Sequence, residues 1–116
     1  MKIMAIDYGD ARTGIAVSDS LGMLTGFTTV IHEYNKEKVA AAIKELIATH
    51  GVTELVMGFP RNMNGTEGPR ADLYREFAAL LEETTGMKVV LWDERRTTVD
   101  AVAASLILEG YLAFRK

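Results

Sequence analysis

Three acidic residues stand where apolar segments end, and together they could bind a cation. Asp7 follows the apolar run from Ile3 to Ile6, Glu94 closes the segment "KVVLWDE", and Asp100 lies in the first turn of a last predicted helix. An ionised carboxylate at a buried strand is costly unless it is paired, hydrogen-bonded or bound to a cation. Carboxylate oxygens suit Mg²⁺ or Mn²⁺, and two such ions can activate water and stabilise the leaving oxygen in phosphodiester cleavage.

Two of these acids also have a structural interpretation. Asp7 could cap the turn "YGDARTG" by hydrogen bonding to the backbone that follows it. Asp100 could form a capping box with Thr97 at the start of the last helix. Against this, Asp100 lies beside the apolar stripe of that helix, and the small side chains of Ala103 and Ala104 would let the helix lie close to a sheet.

The fifth predicted strand ends in two neighbouring acids, Asp93 and Glu94. Successive strand residues point to opposite faces of a sheet, so only one of the two can share a face with Asp7. The structural alternative is a solvated strand end beside Arg95 and Arg96. The preceding Trp92 is predicted to be a core residue.

The polar segment "GFPRNMNGTEGPR" is a loop by its turn residues, and it contains the groups that bind phosphate. Its glycines allow backbone N–H groups to approach an anion closely, and its arginines supply positive charge that the chain as a whole lacks. The alternative is an ordinary loop before a helix. The residues predicted to contact substrate are Arg61, Asn62, Arg70 and, beside the acids, Arg95.

Composition bounds the class of protein. The chain has 116 residues, a formal net charge of −3, no cysteine and two histidines. It predicts one domain over residues 1–116 that buries roughly 65% of its unfolded surface, and excludes thiolate chemistry and a histidine-rich metal site. The acidic balance argues against coating nucleic acid by bulk charge. No apolar run is long enough for a membrane span, so we expect a cytoplasmic protein.

Periodicity along the chain predicts the element order βββαβαβα. The strands are predicted at "KIMAID", "GIAVSD", "GFTTVIH", "ELVMGFP" and "KVVLWDE", and the helices from Lys36 to Gly51, from about Gly68 to Thr85, and from Thr97 onward. Closely spaced strands form an antiparallel meander, whereas strands joined through helices lie parallel. We therefore expect a mixed five-stranded α/β sheet flanked by helices, with three antiparallel strands first.

Four motifs together resemble one known family. The segments "DYGDARTGIAVSD", "GFPRNMNGTEGPRA", "LWDERRTT" and "DAVAASLILEGYL" are similar, in this order, to the YqgF-type proteins, which are described as Holliday junction resolvases or pre-16S rRNA nucleases. The resemblance covers nearly the whole chain.

The resemblance implies an RNase H-like fold and a metal-dependent nuclease acting on structured nucleic acid. Asp7 matches the acid of the family's first strand, Glu94 the acid of its "DER" motif, and Asp100 the acid of its last helix. The implied cofactor is Mg²⁺ or Mn²⁺. The implied partner is nucleic acid, either ribosomal RNA precursor or branched DNA, with no membrane and with a monomer or a homodimer both open.

The chain departs from the family pattern at one place. In the family a basic segment follows the Thr-Thr pair, whereas Val99 alone separates Thr98 from Asp100 here. Either the protein has lost this segment or the sequence omits it. We expect omission, because basic loops are often disordered and go unseen.

Two other functions compete with the nuclease. An ATP-binding domain of the actin and sugar-kinase type also has an acid on its first strand and a glycine-bearing hairpin around phosphate. The other alternative is a catalytically inactive module that binds nucleic acid.

Overall fold

The fold is described by a computed structural model, which places residues 2–21, 25–60, 71–94 and 103–115. The predicted order of five strands and three helices is confirmed. The strands are β1 (Ile3–Asp7), β2 (Arg12–Ser18), β3 (Thr25–His32), β4 (Glu54–Pro60) and β5 (Val89–Glu94), and the helices are α1 (Lys36–His50), α2 (Ala71–Thr85) and α3 (Ala103–Arg115).

The five strands form one mixed sheet in the order β3-β2-β1-β4-β5. The first three strands pair antiparallel, whereas β1 with β4 and β4 with β5 pair parallel. This confirms the predicted meander followed by parallel strands. The carboxyl ends of β1, β4 and β5 therefore meet at one end of the sheet.

The sheet separates two apolar layers. Met4 and Ile6 of β1 pack with α1 and α2 on one face, whereas Ile3 and Ala5 pack with α3 on the other. This follows from the two-residue alternation of a strand. We call these the α1/α2 face and the α3 face.

Local signals fix the ends of α1. The side chain of Asn35 accepts a hydrogen bond from the backbone N–H of Lys38 at 3.0 Å, as an N-cap residue does. The helix ends at Gly51, which has a φ of 69° and donates its N–H to the Ile47 carbonyl. The left-handed region suits glycine, which has no Cβ. The stop predicted at Gly51 is confirmed.

The other two helices are described over shorter ranges than the sequence predicts. Helix α2 begins at Ala71, and the predicted start at Gly68 lies outside the described residues. Helix α3 is described from Ala103, and the predicted start at Thr97 also lies outside them. Within the described residues, no helix combines the length and the apolar character needed to cross a bilayer.

Candidate active site at the carboxyl ends of β1, β4 and β5

Asp7 is the last residue of β1 and is half-buried. By strand alternation it lies on the α3 face, two residues beyond Ala5, which packs in the α3 layer. The predicted position at the end of a central strand is confirmed, because β1 is the middle strand of the sheet. The carboxylate is therefore carried by the most enclosed strand and lies at the end where the parallel strands finish.

Glycines flank Asp7 on both neighbouring strands. Gly14 of β2 is its direct partner in the antiparallel ladder. On the other side Ile6 pairs with Met57, so Gly58 is the next residue of β4 and lies beside Asp7. Neither of these two neighbours has a side chain beside the carboxylate on the α3 face.

Helix α3 approaches the sheet at the same place. A Cβ built on Gly14 would lie 3.4 Å from the Cβ of Ala104 and 3.7 Å from the Cβ of Asp7. Ala104 itself is buried in the α3 layer. The expectation that a small side chain lets this helix lie close to the sheet is confirmed for Ala104, and the first described turn of α3 lies next to Asp7.

Strand β5 brings the second predicted acid to this end of the sheet. Gly58 pairs with Trp92, and Pro60 pairs with Glu94. Two strand spacings separate β5 from β1, which is about 10 Å. Trp92 packs in the α3 layer, and position 94 has the same parity. The described part of β5 ends there, and the side chains of Asp93 and Glu94 lie outside the described residues.

Trp92 is a packing residue, as predicted. Its ring meets Tyr111 of α3 edge-on with the ring centroids 5.6 Å apart. The hydroxyl of Tyr111 in turn donates a hydrogen bond to the Glu54 carboxylate at the start of β4. These contacts hold α3 along the sheet from the acidic end to the opposite end.

The α1/α2 face contains a support that the sequence analysis missed. The Tyr74 hydroxyl of α2 donates a 2.9 Å hydrogen bond to the carbonyl of Tyr8, the residue that follows Asp7. The Tyr8 ring stacks on Phe77 with the centroids 4.1 Å apart. Helical spacing of residues 74 and 77 identifies both as inward-facing, but no local signal pairs either with Tyr8.

A second contact joins α2 to the end of β4. The guanidinium of Arg75 lies over the ring of Phe59, 4.9 Å from its centroid. Helix α2 therefore contacts the ends of both β1 and β4. The loop predicted to bind phosphate immediately precedes this helix.

Several predicted site residues lie outside the described residues, so their positions stay predictions. Among the residues that are described, no group of three or more acidic or histidine side chains could hold a metal ion. Of the predicted metal ligands, Asp7 is described with its side chain and Glu94 by its backbone. The third ligand, Asp100, lies outside the described residues, as do the four predicted substrate contacts Arg61, Asn62, Arg70 and Arg95.

Comparison with known proteins matches most of the chain to one family. The family model described as "RuvX: Holliday junction resolvase" matches residues 1–101. A proposed pre-16S rRNA nuclease from Carboxydothermus hydrogenoformans is 43% identical over 135 aligned residues, which cover 99% of this chain and 98% of that relative. Both matches include the segments that hold Asp7 and Glu94.

The alignment with this relative is longer than the chain. It spans 135 aligned positions, whereas this chain has 116 residues. The relative therefore has residues with no counterpart here. The expectation that the basic segment after Thr98 is omitted from the sequence rather than deleted stays a prediction.

Solved structures confirm the RNase H-like fold. T. thermophilus RuvC in complex with a Holliday junction substrate matches with a TM-score of 0.65 at 12% identity, covering 99% of this chain and 95% of RuvC. A ROK hexokinase from Thermus thermophilus matches with a TM-score of 0.50 at 23% identity, covering 80% of this chain but 34% of the hexokinase. These likenesses concern the fold alone, and the second explains why a sugar-kinase domain competes as an interpretation of the sequence.

Proposed function

The chain belongs to the RuvX family of Holliday junction resolvases, a family of nucleases, and from this we propose that Asp7, Glu94 and Asp100 form the carboxylate set with which it hydrolyses phosphodiester bonds. The observation that carries the proposal is the position of Asp7. It ends the central strand between two glycines, with the first described turn of α3 beside it. That arrangement puts a half-buried carboxylate where the ends of three strands meet.

The short connection before α3 is compatible with Asp100 as the third ligand. A Cβ built on Gly14 would contact the Cβ atoms of both Ala104 and Asp7, and Asp100 is four residues before Ala104. Four residues span at most about 14 Å when fully extended. Asp100 is proposed to reach the Asp7 carboxylate through this short connection.

The parity of β5 supports Glu94 rather than Asp93 as the second ligand. Val90 and Trp92 pack in the α3 layer, and residues of the same parity follow at position 94. Asp93 has the parity of Val89, which packs in the other layer. Asp7 is on the α3 face, so position 94 is the one that matches it.

These residues fit Mg²⁺ or Mn²⁺. The proposed donors are oxygen atoms only, which these cations prefer, and the strand neighbours of Asp7 are glycines. When bound, such a cation supplies Lewis acidity for phosphodiester hydrolysis. Asp7, Glu94 and Asp100 would hold it, and the substrate backbone would be positioned by Arg61, Asn62, Arg70 and Arg95.

The proposed substrate is ribosomal RNA precursor, cleaved at the 5′ end of 16S rRNA. The support is the relative from C. hydrogenoformans, which is named as a pre-16S rRNA nuclease and aligns over nearly its whole length. Processing of ribosomal RNA would place the protein in the cytoplasm. Branched DNA is the competing substrate, since the family description names junction resolution.

The test compares cleavage of a 16S precursor RNA and a four-way DNA junction by the purified protein with Mg²⁺ or Mn²⁺. Asp7→Asn is expected to lose cleavage and to bind Mn²⁺ more weakly in calorimetry. The matched control is Glu83→Gln, an exposed carboxylate near the opposite end of α2, which is expected to retain both properties. Wild-type protein that cleaves neither substrate better than Asp7→Asn would contradict the proposal.

Two further measurements separate the alternatives. Tight ATP binding in calorimetry would favour the sugar-kinase type of domain. Nucleic-acid binding that is unchanged by metal and by Asp7→Asn, without cleavage, would favour an inactive binding module.

A further inference from the structure

Three exposed side chains lie on the α3 face of the sheet near the end of β1. They are Arg12 at the start of β2, and Val30 and His32 in the second half of β3. Val30 is 44% exposed although it is apolar. By contrast, Ala5 and Ala16, further along the strands on the same face, are buried against α3. We call the three exposed residues the Arg12 strip.

Strand pairing places Arg12 on the same face as Asp7. Gly14 is the direct partner of Asp7, and Arg12 precedes Gly14 by two residues, so the two side chains lie on one face. Arg12 is one strand spacing across and two residues along from Asp7, which puts their Cα atoms about 8 Å apart. The long Arg12 side chain can therefore contact a group next to one held at the Asp7 carboxylate.

The pairing of β2 with β3 extends the strip across the sheet. Arg12 pairs with His32, and the glycine opposite Asp7 pairs with Val30. Directly opposed residues share a face, with Cβ atoms about 4.5–5.5 Å apart. The alternation of β3 agrees with this, because Ile31 packs on the α1/α2 face. The strip therefore begins beside the Asp7 position and continues over β3.

The backbone that carries Arg12 is held from two sides. A Cβ built on Gly9 would collide with the Arg12 carbonyl oxygen, so the turn after Asp7 brings the chain back on itself tightly. On the other side, the Glu33 N–H donates a 3.1 Å hydrogen bond to the Ala11 carbonyl, which continues the contact of β2 with β3 into the turn. Arg12 thus begins β2 at a position that is fixed relative to Asp7.

Among the described residues, no acid engages the Arg12 guanidinium. Neither Arg12 nor His32 forms an ion pair within this part of the chain. The Glu33 carboxylate accepts hydrogen bonds from the N–H groups of the next two residues, at 3.1 Å each, and by alternation it lies on the other face. Asp10, in the turn, is the acid nearest to Arg12 in sequence. This balance of charge suits one phosphate group rather than an extended polyanion.

We propose that the Arg12 strip binds the sugar–phosphate backbone of the substrate strand next to the phosphodiester bond at Asp7. This inference rests on the proposed function. The planar guanidinium of Arg12 can bind a phosphate through two hydrogen bonds, and the imidazole of His32 can donate a further one. Val30 offers apolar surface to a sugar between them.

The position of the strip favours a nucleic-acid strand over a protein partner. A polymeric substrate continues past its reacting bond, and on this face the middle of β1 and β2 is covered by α3. A strand that leaves Asp7 across the strip meets a cation first and then uncharged surface. One nucleotide presents the same two features, a charged phosphate and an uncharged sugar. A protein partner is the competing occupant, and it would leave nucleic-acid binding independent of Arg12.

Fluorescence anisotropy with labelled 16S precursor RNA and a labelled four-way DNA junction tests the contact, with Ca²⁺ in place of Mg²⁺ to slow cleavage. Arg12→Gln is expected to raise the Kd about tenfold, because a charge-assisted contact is lost. Measured from about 50 to 200 mM salt, the slope of log Kd against log salt should fall by about one. His32→Gln should raise the Kd about threefold. Lys88→Gln removes an exposed charge just before β5, at the opposite end of the sheet, and should match wild type.

A conservative variant and a cleavage assay separate binding from a structural role. Arg12→Lys keeps the charge but loses the planar fork, so it should retain the salt slope of wild type and recover part of the affinity. In steady-state cleavage, Arg12→Gln should raise KM about tenfold and leave kcat within about threefold, as expected when binding is lost equally in the ground and transition states. Urea midpoints should match wild type, because Arg12 is exposed.

The outcomes distinguish this inference from the proposed function. Binding that depends on Arg12, without cleavage, would support the strip and contradict the nuclease. Cleavage by wild type with an Arg12→Gln variant that binds as tightly, or with the same salt slope, would overturn the strip and leave the nuclease standing. A wild-type chain that neither binds nor cleaves either nucleic acid would overturn both.

Discussion

Gly14 lies directly opposite Asp7 in the β1–β2 ladder, and the methyl group of Ala104 packs just above the position that a Cβ of Gly14 would occupy. One glycine therefore determines two features of the proposed site. It places no side chain of its own beside the Asp7 carboxylate, and it sets how closely the start of α3 approaches β2.

Side chains of different size at position 14 are expected to show how much the close approach of α3 matters for cleavage. Gly14→Ala places its Cβ at 3.4 and 3.7 Å from its neighbours, which are ordinary contacts, so it should fold and retain cleavage. Gly14→Val adds two methyl groups between Asp7 and Ala104. Overpacking of this kind costs about 1–3 kcal/mol, and displacement of α3 should lower cleavage more than tenfold.

Urea unfolding and single-turnover cleavage of the two variants provide the measurement. Cleavage is compared under conditions where each variant is fully folded. If Gly14→Val then cleaves as fast as Gly14→Ala, the approach of α3 to Asp7 does not matter for the reaction.

The hydrogen bond from Tyr74 to the Tyr8 carbonyl is expected to stabilise the backbone next to Asp7. Tyr74→Phe keeps the ring but removes the donor from a buried carbonyl, which costs about 1–3 kcal/mol. The urea midpoint should fall accordingly. Tyr34→Phe is the matched control, because Tyr34 is 79% exposed, and its midpoint should match that of wild type. Equal midpoints for all three proteins would show that the bond contributes nothing.

The sequence predicts a strand well where the signal lies in the strand's own residues. It predicts the strand's ends less well where pairing with another strand determines them. The stretch "GIAVSD" predicts a second strand from Gly14, but β2 begins at Arg12. Arg12 and Thr13 are strand residues because they pair with His32 and Ile31 of β3. No signal within β2 itself reveals that partnership.

The site shows the same division between local and tertiary information. An acid at the end of an apolar strand identifies Asp7 as a candidate from its neighbours alone. The glycines beside it come from two other strands, and the Tyr74 hydroxyl comes from a helix 66 residues away. Such contacts depend on register and packing, which a single sequence does not express.

The choice between the two acids of β5 can be tested by exchanging each carboxylate for its amide. Glu94→Gln should lower metal-dependent cleavage about 100-fold or more, since even residues that only support a metal ligand contribute 10–100-fold. Asp93→Asn, at the position of opposite parity, should keep cleavage within a few-fold of wild type. The opposite pattern in steady-state cleavage assays would assign the ligand to Asp93 and reverse the faces proposed for the end of β5.

Metal binding should also be visible as stability, without any substrate. A cation that binds only the folded chain stabilises it by about 2.7 kcal/mol at a concentration 100 times its dissociation constant. For a domain of this size that corresponds to a rise in Tm of about 10 °C. Wild type and Glu83→Gln should show this rise with Mn²⁺ in differential scanning calorimetry, and EDTA should reverse it. Asp7→Asn should show little of it, because it lacks the carboxylate at the end of β1. An equal rise in Asp7→Asn would place the bound cation elsewhere on the protein.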